Sequence, residues 1–437
     1  MKNVTLFLYE GKHFLRSPFK VVALLLFILA GVYGLHNGAS LYDKQTSEIE
    51  KLAKQADEEI QRTLAHYDKG ETGSSETPWI DITTAYGAII STPTYSFKRP
   101  SPAIVYSIGQ TEQFGFYKKV EFWSNPYDAD LSEEIANPER IQSGTLDFSF
   151  VILFLLPLLL LVLMYNIKST EEEEGFLSLI YVQTGAKDWW LLMRTSFYAF
   201  MMITVLLGLM IYGAMLTNVF NETEVFSSIF LYLIAYLLMW FLVYLLILKY
   251  GKSTVSNTLQ MVGVWLLFAF IIPATVLQWV SIKKPTNLLT EFLDFKRDGL
   301  DEIYEDTNEN IGQKIVKLFP DLKFPENNRD AFLTDDIKYF SVNALFNEEL
   351  KNQGQQIEEE NNIRNQMVRN TYWFNPITFF QNKINDLSET HYNDYQRYRA
   401  SVQNTIDNSA GYLVVDTWIA LELDKTRYLE YLESFGH

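Results

Sequence analysis

Five long apolar runs alternate with strongly polar stretches along the chain, and almost no charged residue falls inside the runs. They cover roughly residues 19–35, 148–167, 191–216, 225–248 and 261–280. Runs of this length match the hydrocarbon core of a bilayer, whereas a surface helix of a soluble protein keeps a polar face. The pattern therefore predicts a mainly α, polytopic membrane protein with five transmembrane helices.

Basic residues flank the apolar runs unevenly, and this asymmetry predicts the orientation. They precede or open the first run and follow the fourth, at Lys2, Lys12, Arg16, Lys20, Lys249 and Lys252. Because basic loops stay in the cytoplasm, the N-terminus and the loop 168–190 are predicted to be cytoplasmic and the C-terminus extracytoplasmic. The run at 19–35 is also short enough to fit a cleaved signal peptide, and that alternative stays open.

Two long polar segments, 37–147 and 281–437, are then predicted to be extracytoplasmic and mostly helical. The first begins as a continuation of the first transmembrane helix, because apolar residues in 41–64 recur mostly every three or four positions. Five prolines then space short β-prone runs, which predicts a small mixed cap over 74–142. The second segment is predicted to be helical between its prolines, with "EEENN" at 358–362 as solvated surface rather than a cation site.

Charge and composition narrow the classes of partner and chemistry. The net charge is −17 and both polar segments are acidic, which makes nucleic acid and anionic headgroups poor partners. The chain contains no Cys, so neither disulfides nor thiolate chemistry are expected. Methionines recur in the apolar runs without nearby Cys or His, which favours packing over copper binding.

Recognisable catalytic and nucleotide-binding motifs are missing from the sequence. "KYGKST" at 249–254 contains Gly-Lys-Ser, but a phosphate loop needs a second Gly where the chain has Leu246. The five histidines are scattered, and neither H-E-x-x-H nor G-x-S-x-G occurs. We therefore expect a non-catalytic chain without cofactor or metal. The spans also lack charged residues at their centres, so the energy for any transport would come from a partner.

The stretch "STEEEEGFLSLIYVQTG" after the second run predicts a short cytoplasmic helix, Glu171–Gly185, that contacts a soluble partner. Ser169 and Thr170 each precede a glutamate by three positions, as in a capping box, and carboxylates suit the positive end of a helix dipole. The predicted coupling residues are Glu171, Glu172, Glu173, Glu174, Gly175, Phe176, Leu177, Ile180 and Tyr181. A well-capped surface helix without a partner is the alternative.

Residues around the second run resemble the core pattern of type-two ABC exporter permeases. The pattern is an Asn-Pro, a Gly, an Asp-Phe and a Pro-Leu before the acidic stretch, here Asn137, Pro138, Gly144, Asp147, Phe148, Pro157 and Leu158. The chain is more narrowly similar to the branch with enlarged periplasmic segments, related to permeases of copper-enzyme maturation. The stretch from Trp373, with Asn375 and Pro376, fits that branch, and residues 1–18 resemble an amphipathic elbow helix on the cytoplasmic face.

The resemblance implies a permease subunit of a bacterial inner-membrane ABC transporter, with spans two to five in 148–280. It would be an exporter that binds a separate ABC ATPase through the Glu171–Gly185 helix and pairs with a second copy or a sister permease. Such permeases normally have six spans, so a missing or partner-supplied sixth span is left open. The rival prediction is a membrane-anchored interaction or mechanotransmission protein whose periplasmic helices hold an envelope partner without transporting a substrate.

Overall fold

The computed structural model is mostly helical and covers most of the chain. It describes residues 3–74, 77–128, 130, 145–184, 187–285, 288–325 and 332–436. The first elements are α1 (Asn3–Leu15), α2 (Pro18–Lys69) and α3 (Ala85–Ile90), followed by the antiparallel strands β1 (Tyr95–Phe97) and β2 (Tyr117–Lys119). The fourth helix, α4, is Phe148–Phe150, a π-helical turn at Val151–Leu155, and Leu156–Met164.

The remaining helices follow in chain order. They begin with α5 (Ser169–Glu173), α6 (Leu177–Thr184), α7 (Lys187–Thr217) and α8 (Thr223–Tyr250). The ninth, α9, is Thr254–Leu266, a π-helical turn at Leu267–Ile271, and Ile272–Lys283. The last six are α10 (Leu288–Tyr304), α11 (Asn308–Leu318), α12 (Asp335–Arg369), α13 (Pro376–Leu387), α14 (Tyr392–Trp418) and α15 (Lys425–Phe435).

Within the described ranges, five helices are long and apolar enough to cross a membrane, and these are formed by α2, α4, α7, α8 and α9. This confirms the predicted fold class and indicates a multi-pass membrane protein. One end of the bundle carries α1, α5, α6 and the turn between α8 and α9, and it is named the loop face. The opposite end carries the segment 102–111 and the helices from α10 onward, and it is named the domain face.

The long helix α2 packs closely against its neighbours because three glycines lie along one side of it. A Cβ atom at Gly34 would lie 2.6 Å from the backbone nitrogen of Phe148, and one at Gly38 would lie 2.7 Å from the Cα of Val105. A Cβ atom at Gly31 would meet the side chain of Leu209. Small residues let helix backbones approach one another closely in a membrane. These glycines therefore allow α2 to pack against α4, α7 and the domain-face segment.

Two of the spans contain a π-helical turn followed within two residues by a proline, Pro157 in α4 and Pro273 in α9. A proline cannot donate to the carbonyl four residues earlier, which in α4 is that of Leu153. The Tyr236 hydroxyl of α8 donates to that carbonyl instead, and Trp265 Nε1 of α9 donates to Phe154 O at 3.2 Å. Neighbouring helices therefore satisfy the backbone groups that the kink releases inside the membrane.

The domain face has its own apolar core, built from α3, α10 to α12, α14, α15 and the far end of α2. The buried Asp416, which interrupts an apolar run of the sequence, accepts two hydrogen bonds from Arg427 and one from Tyr431. Glu358 was predicted to belong to a solvated surface, and this is wrong. Its side chain is largely buried and is bound by Arg399, because α14 packs along α12 at this point.

Helix α13 belongs to the membrane bundle although it lies in a polar segment of the sequence. Ile377, Phe380 and Ile384 are buried in the same apolar cluster as the spans, and α13 contacts α8 and both π-helical turns. The Phe380 ring lies 5.1 Å from that of Tyr236, which is halfway along α8. A twelve-residue helix is too short to span a bilayer, so α13 enters the bundle only from the domain face.

Candidate coupling site at the loop face

The predicted Glu171–Gly185 helix is wrong as one continuous element, because it is two helices. The first, α5, ends at Glu173, and α6 begins at Leu177. Gly175 between them has a φ of +78° with open space around its Cα, a backbone conformation that favours glycine. Gly185 lies outside the described residues. The acidic stretch and the apolar stretch can therefore point in different directions.

The predicted capping role of Ser169 and Thr170 is also wrong. Both lie inside α5, whose N-cap position is Lys168 without a side-chain cap. The reason is tertiary: Thr254, at the start of α9, donates its hydroxyl to Ser169 Oγ at 3.0 Å, and its backbone N–H to Glu173 Oε1 at 2.7 Å. The Lys168 ammonium donates to the carbonyl of Lys249, in the last turn of α8, and to that of Gly251, in the turn between α8 and α9. These bonds fasten α5 to that turn.

The centre of the loop face is a buried guanidinium held between two carboxylates. Arg194 of α7 donates from Nε to Glu10 Oε2 at 2.6 Å and from Nη1 to Glu171 Oε1 at 3.0 Å. A further bond reaches the carbonyl of Ile167 at 3.3 Å, and the Trp190 ring lies 5.2 Å from the guanidinium carbon. Glu10 is completely buried and Arg194 nearly so. Breaking such a pair is costly because it leaves an uncompensated buried charge.

A second cation extends this network to the first span. Lys20, near the start of α2, donates to Leu163 O at 2.7 Å, to Asn166 Oδ1 at 3.2 Å and to the Tyr198 hydroxyl at 3.3 Å. Tyr198 in turn donates to Glu10 Oε1 at 2.7 Å. The polar groups of α1, α2, α4, α5 and α7 thus form one bonded cluster. A force applied to α5 would reach three spans through short polar contacts.

The predicted coupling residues of α6 divide into two faces. Leu177 is buried, while Ile180 and Tyr181 pack against the bundle. The outward face is apolar and exposed, with Phe176 54%, Leu179 56% and Val182 81% accessible. Prediction from sequence named Phe176 but missed the other two, and it assigned three inward-facing residues to the partner contact. A strictly helical projection outward from Phe176 would have found Leu179 and Val182.

The glutamates of the acidic stretch differ in the same way. Glu171 is bound to Arg194, Glu172 lies 3.6 Å from Lys168, and Glu173 is bound to Thr254. Glu174 is exposed beside Gly175. Three of the four therefore have structural partners within the chain, which leaves the exposed apolar face of α6 as the larger free surface of this site.

The resemblance motifs fall at other places in the bundle. Asp147 caps α4 by accepting from the backbone N–H of Phe150 at 2.7 Å, and it also accepts from that of Ile108 at 3.0 Å. Pro157 lies beside the π-helical turn, and Asn375 and Pro376 open α13. Asn137, Pro138 and Gly144 lie outside the described residues. Asp147, Asn375 and Pro376 thus lie where helices begin at the domain face, and Pro157 lies at a kink within a span.

Glu10, Arg194 and Lys20 are the site residues that sequence reasoning missed as a group. Glu10 and Arg194 are 184 positions apart, and nothing local marks them as partners. A usable signal was the placement of a lone Arg and a lone Glu on otherwise apolar helix faces, since charges in such positions are usually paired.

Comparison with known proteins gives no match: no protein-family model fits the chain, and no curated protein or solved structure is found to be similar to it. The resemblance to type-two permeases therefore stays a prediction, and it rests only on the sequence motifs.

Proposed function

We propose that the chain is a transmembrane subunit of a bacterial ABC transporter, driven by a separate ATPase that docks on the outward face of α6. The single observation that carries this proposal is the combination of an exposed apolar patch, Phe176, Leu179 and Val182, with the rigid attachment of its neighbour α5. Exposed apolar patches mark interaction sites, and rigid attachment lets a docked partner move the spans.

The lack of a phosphate-loop motif in the sequence supports a motor in a separate chain. The Gly-Lys-Ser string at 251–253 lies in the turn after α8, with Leu246 where a phosphate loop needs glycine. Among the described residues no group of three or more His, Asp or Glu is arranged to hold a metal ion. A polar cavity of about 180 Å³ at the domain face, beside Asp147 and Gln381, is small for a transported ligand.

The docking surface can be tested by replacing its three apolar residues together. In the native cell, an affinity-tagged full-length chain should co-purify in mild detergent with a P-loop ATPase whose hydrolysis is measurable. Phe176→Ser, Leu179→Ser and Val182→Ser combined should reduce that co-purification at least tenfold, because truncated hot-spot residues each cost more than ~1 kcal/mol. The proposal fails if no P-loop ATPase accompanies the unchanged chain.

Ser178→Asp is the matched control. Ser178 is an exposed polar residue of the same helix, at the edge of the apolar patch. The variant adds a charge to α6 without removing apolar surface, so the ATPase should still co-purify. Equal loss of ATPase in the control and in the triple variant would assign the effect to charge or folding and would contradict docking on the patch.

A second candidate, mechanical transmission without transport, is favoured by the contacts of α13. This helix touches the kinks of α4 and α9 and continues into the helices of the domain face, so a change in the kinks would move those helices. The chain has no cysteine, so spin labels can be placed at Lys54→Cys on α2 and Gln356→Cys on α12. An ATP-dependent change in their distance, in proteoliposomes that export nothing, would favour the mechanical function.

A further inference from the structure

A cavity of the domain face lies in a groove between α12 and α14. Its volume is about 490 Å³, which is within the usual range for ligand sites. The two helices are antiparallel here, since Glu358 bonds Arg399 while Asn347 bonds Asp407. Small residues open the groove, because Gly354 lies on one wall and Ala400 on the other.

Charges deep in the groove are already paired within the protein. Arg399 donates to Glu358 at 2.7 Å and to Asp130 at 3.1 Å, and Lys351 donates to Asp407 at 2.8 Å. Glu359 on the rim has no basic partner among the described residues. The lining therefore carries a small negative charge in an acidic chain, and a ligand with one positive charge would complement it.

Four primary amides remain available for hydrogen bonding along the walls. Gln355 and Asn362 on α12 and Gln396 and Asn404 on α14 line the cavity, and none has a hydrogen-bond partner within the described part of the chain. Each amide presents a donor and an acceptor side by side, as a peptide group does. The antiparallel packing places the amides of one wall roughly opposite those of the other.

The spacing of these groups suits alternate backbone groups of an extended polypeptide. Gln396 and Asn404 are eight residues apart, or ~12 Å along α14, and Gln355 and Asn362 are seven residues apart, or ~10.5 Å along α12. An extended chain presents the backbone groups of one side about every 6.6 Å. The aromatic ring in the lining, Tyr127, is buried and covered by the Arg399 guanidinium at 5.3 Å, so the described lining offers no exposed ring on which a sugar could stack.

We propose that the groove between α12 and α14 binds an extended, polar peptide segment with one basic residue, held through its backbone by the four amides and through its cation by Glu359. Backbone recognition makes such a site tolerant of sequence. This proposal does not depend on the proposed function, because it requires neither an ATPase nor movement of the spans.

The test uses the full-length protein in mild detergent and a fluorescein-labelled peptide, Gly-Ser-Asn-Lys-Gln-Ser-Gly amide, followed by fluorescence anisotropy. Saturable binding is expected with a dissociation constant below about 1 mM. Ala400→Trp, which fills the groove from an exposed position, should weaken binding at least tenfold. Asn352→Trp, an exposed position of α12 outside the cavity lining, is the matched control and should bind like the unchanged protein.

Charge recognition is tested with Glu359→Gln and with a peptide in which Gln replaces Lys. The variant should bind the Lys peptide about two- to fivefold more weakly, as expected for an exposed ion pair, and should bind the Gln peptide unchanged. The proposal is overturned if neither peptide binds saturably, if Ala400→Trp binds like the unchanged protein, or if maltose displaces the label while unlabelled peptide does not.

Discussion

Arg194 and Arg399 lie at opposite ends of the molecule in nearly the same surroundings. Each guanidinium is about 5% exposed, lies between two carboxylates and contacts aromatic rings. The elements that they join differ. Arg194 connects α1, α5 and α7 beside an exposed apolar patch, whereas Arg399 connects α12, α14 and the residue Asp130 beneath an open groove. The same chemistry fastens α5 to the bundle at one end and supports a cavity at the other.

At the groove, burial disfavours the charged form of one acid partner of Arg399, Asp130. Burial raises the pKa of the Asp130 carboxyl from 3.8 to about 6, and Arg399 opposes that rise only in part. Interactions with Glu358 and Asp130 raise the pKa of the Arg399 guanidinium, although burial alone would lower it. When Arg399 is removed, protonation of Asp130 can therefore neutralise a carboxylate that has lost its countercharge. At the loop face, Glu10 is completely buried and depends on Arg194 and Tyr198.

The largest effect is expected for Arg194→Ala. It should lower the free energy of unfolding by about 3–5 kcal/mol, because Glu10 stays buried without its countercharge. Thermal unfolding of the purified protein in detergent measures the loss, and limited proteolysis should show α5 and α6 released from the bundle. Glu171→Gln serves as control with a smaller effect, since Glu171 is 24% exposed. A melting curve like that of the unchanged protein would show that the ion pairs of Arg194 do not stabilise the loop face.

Arg399→Ala should be somewhat less damaging, at about 2–4 kcal/mol near pH 8, at the lower edge of the cost of breaking a buried pair. Proteolysis should open the helices around the groove while α5 and α6 stay protected. Arg397→Ala is the matched control two residues away, where the side chain is 75% exposed and the loss should stay within ~1 kcal/mol. Equal losses of stability in the two variants would show that the buried ion pairs of Arg399 stabilise the protein no more than the exposed pair of Arg397.

Asp130 gives the stability of the groove region a pH dependence. A carboxyl whose pKa is higher in the folded state stabilises the fold below its unfolded value, near 3.8, and loses that contribution as pH rises through about 6. The loss is at most about 3 kcal/mol, at about 1.4 kcal/mol per pKa unit. Asp130→Asn should flatten this part of the stability curve between pH 4 and pH 7, whereas the exposed Asp321→Asn should leave it unchanged.

The smallest effect concerns the kinked span that joins the two ends. Tyr236→Phe leaves the Leu153 carbonyl without this donor and should lower the stability by about 0.6 kcal/mol, the average for hydrogen bonds between membrane helices, and by at most about 1.7 kcal/mol. Pro157→Ala restores a backbone N–H that can reach the same carbonyl. In the Pro157→Ala protein, Tyr236→Phe should lower the free energy of unfolding by a smaller amount. An equal loss in both proteins would show that the Tyr236 hydroxyl does not compensate for the proline.

The five spans were predictable because length and apolar composition are local properties. The same runs appear in the structure as α2, α4, α7, α8 and α9, and α2 continues beyond its apolar part as the spacing in 41–64 indicated. The break at Gly175 could not be predicted from the pattern of apolar and polar residues. The spacing of Ser169 and Glu172 matches a capping box. In the folded chain, however, Ser169 accepts a hydrogen bond from Thr254, which is 85 residues away.

Long-range pairing explains the other misses. The apolar spacing of Ile377, Phe380 and Ile384 indicates an amphipathic helix, but it does not show that α13 packs against α8 and the kinks of α4 and α9. Likewise, "EEENN" looks like solvated surface until Arg399 approaches Glu358 from another helix. Hydrophobic patterns predict which faces become buried, but they do not say which element covers them.

The uninterrupted length of α2 makes it a lever. At 1.5 Å per residue its 52 residues extend ~78 Å, and about 35 of them lie beyond Gly34. If the close contact of Gly34 with α4 acts as the fulcrum, a tilt of about 3° displaces the far end by roughly 3 Å over that ~52 Å arm. The far end contacts α15, where the rings of Tyr67 and Tyr428 lie 5.0 Å apart. An adjustment of roughly 1 Å near the loop face, over the ~24 Å arm from Pro18 to Gly34, thus becomes a displacement large enough to repack side chains at the other end of the molecule.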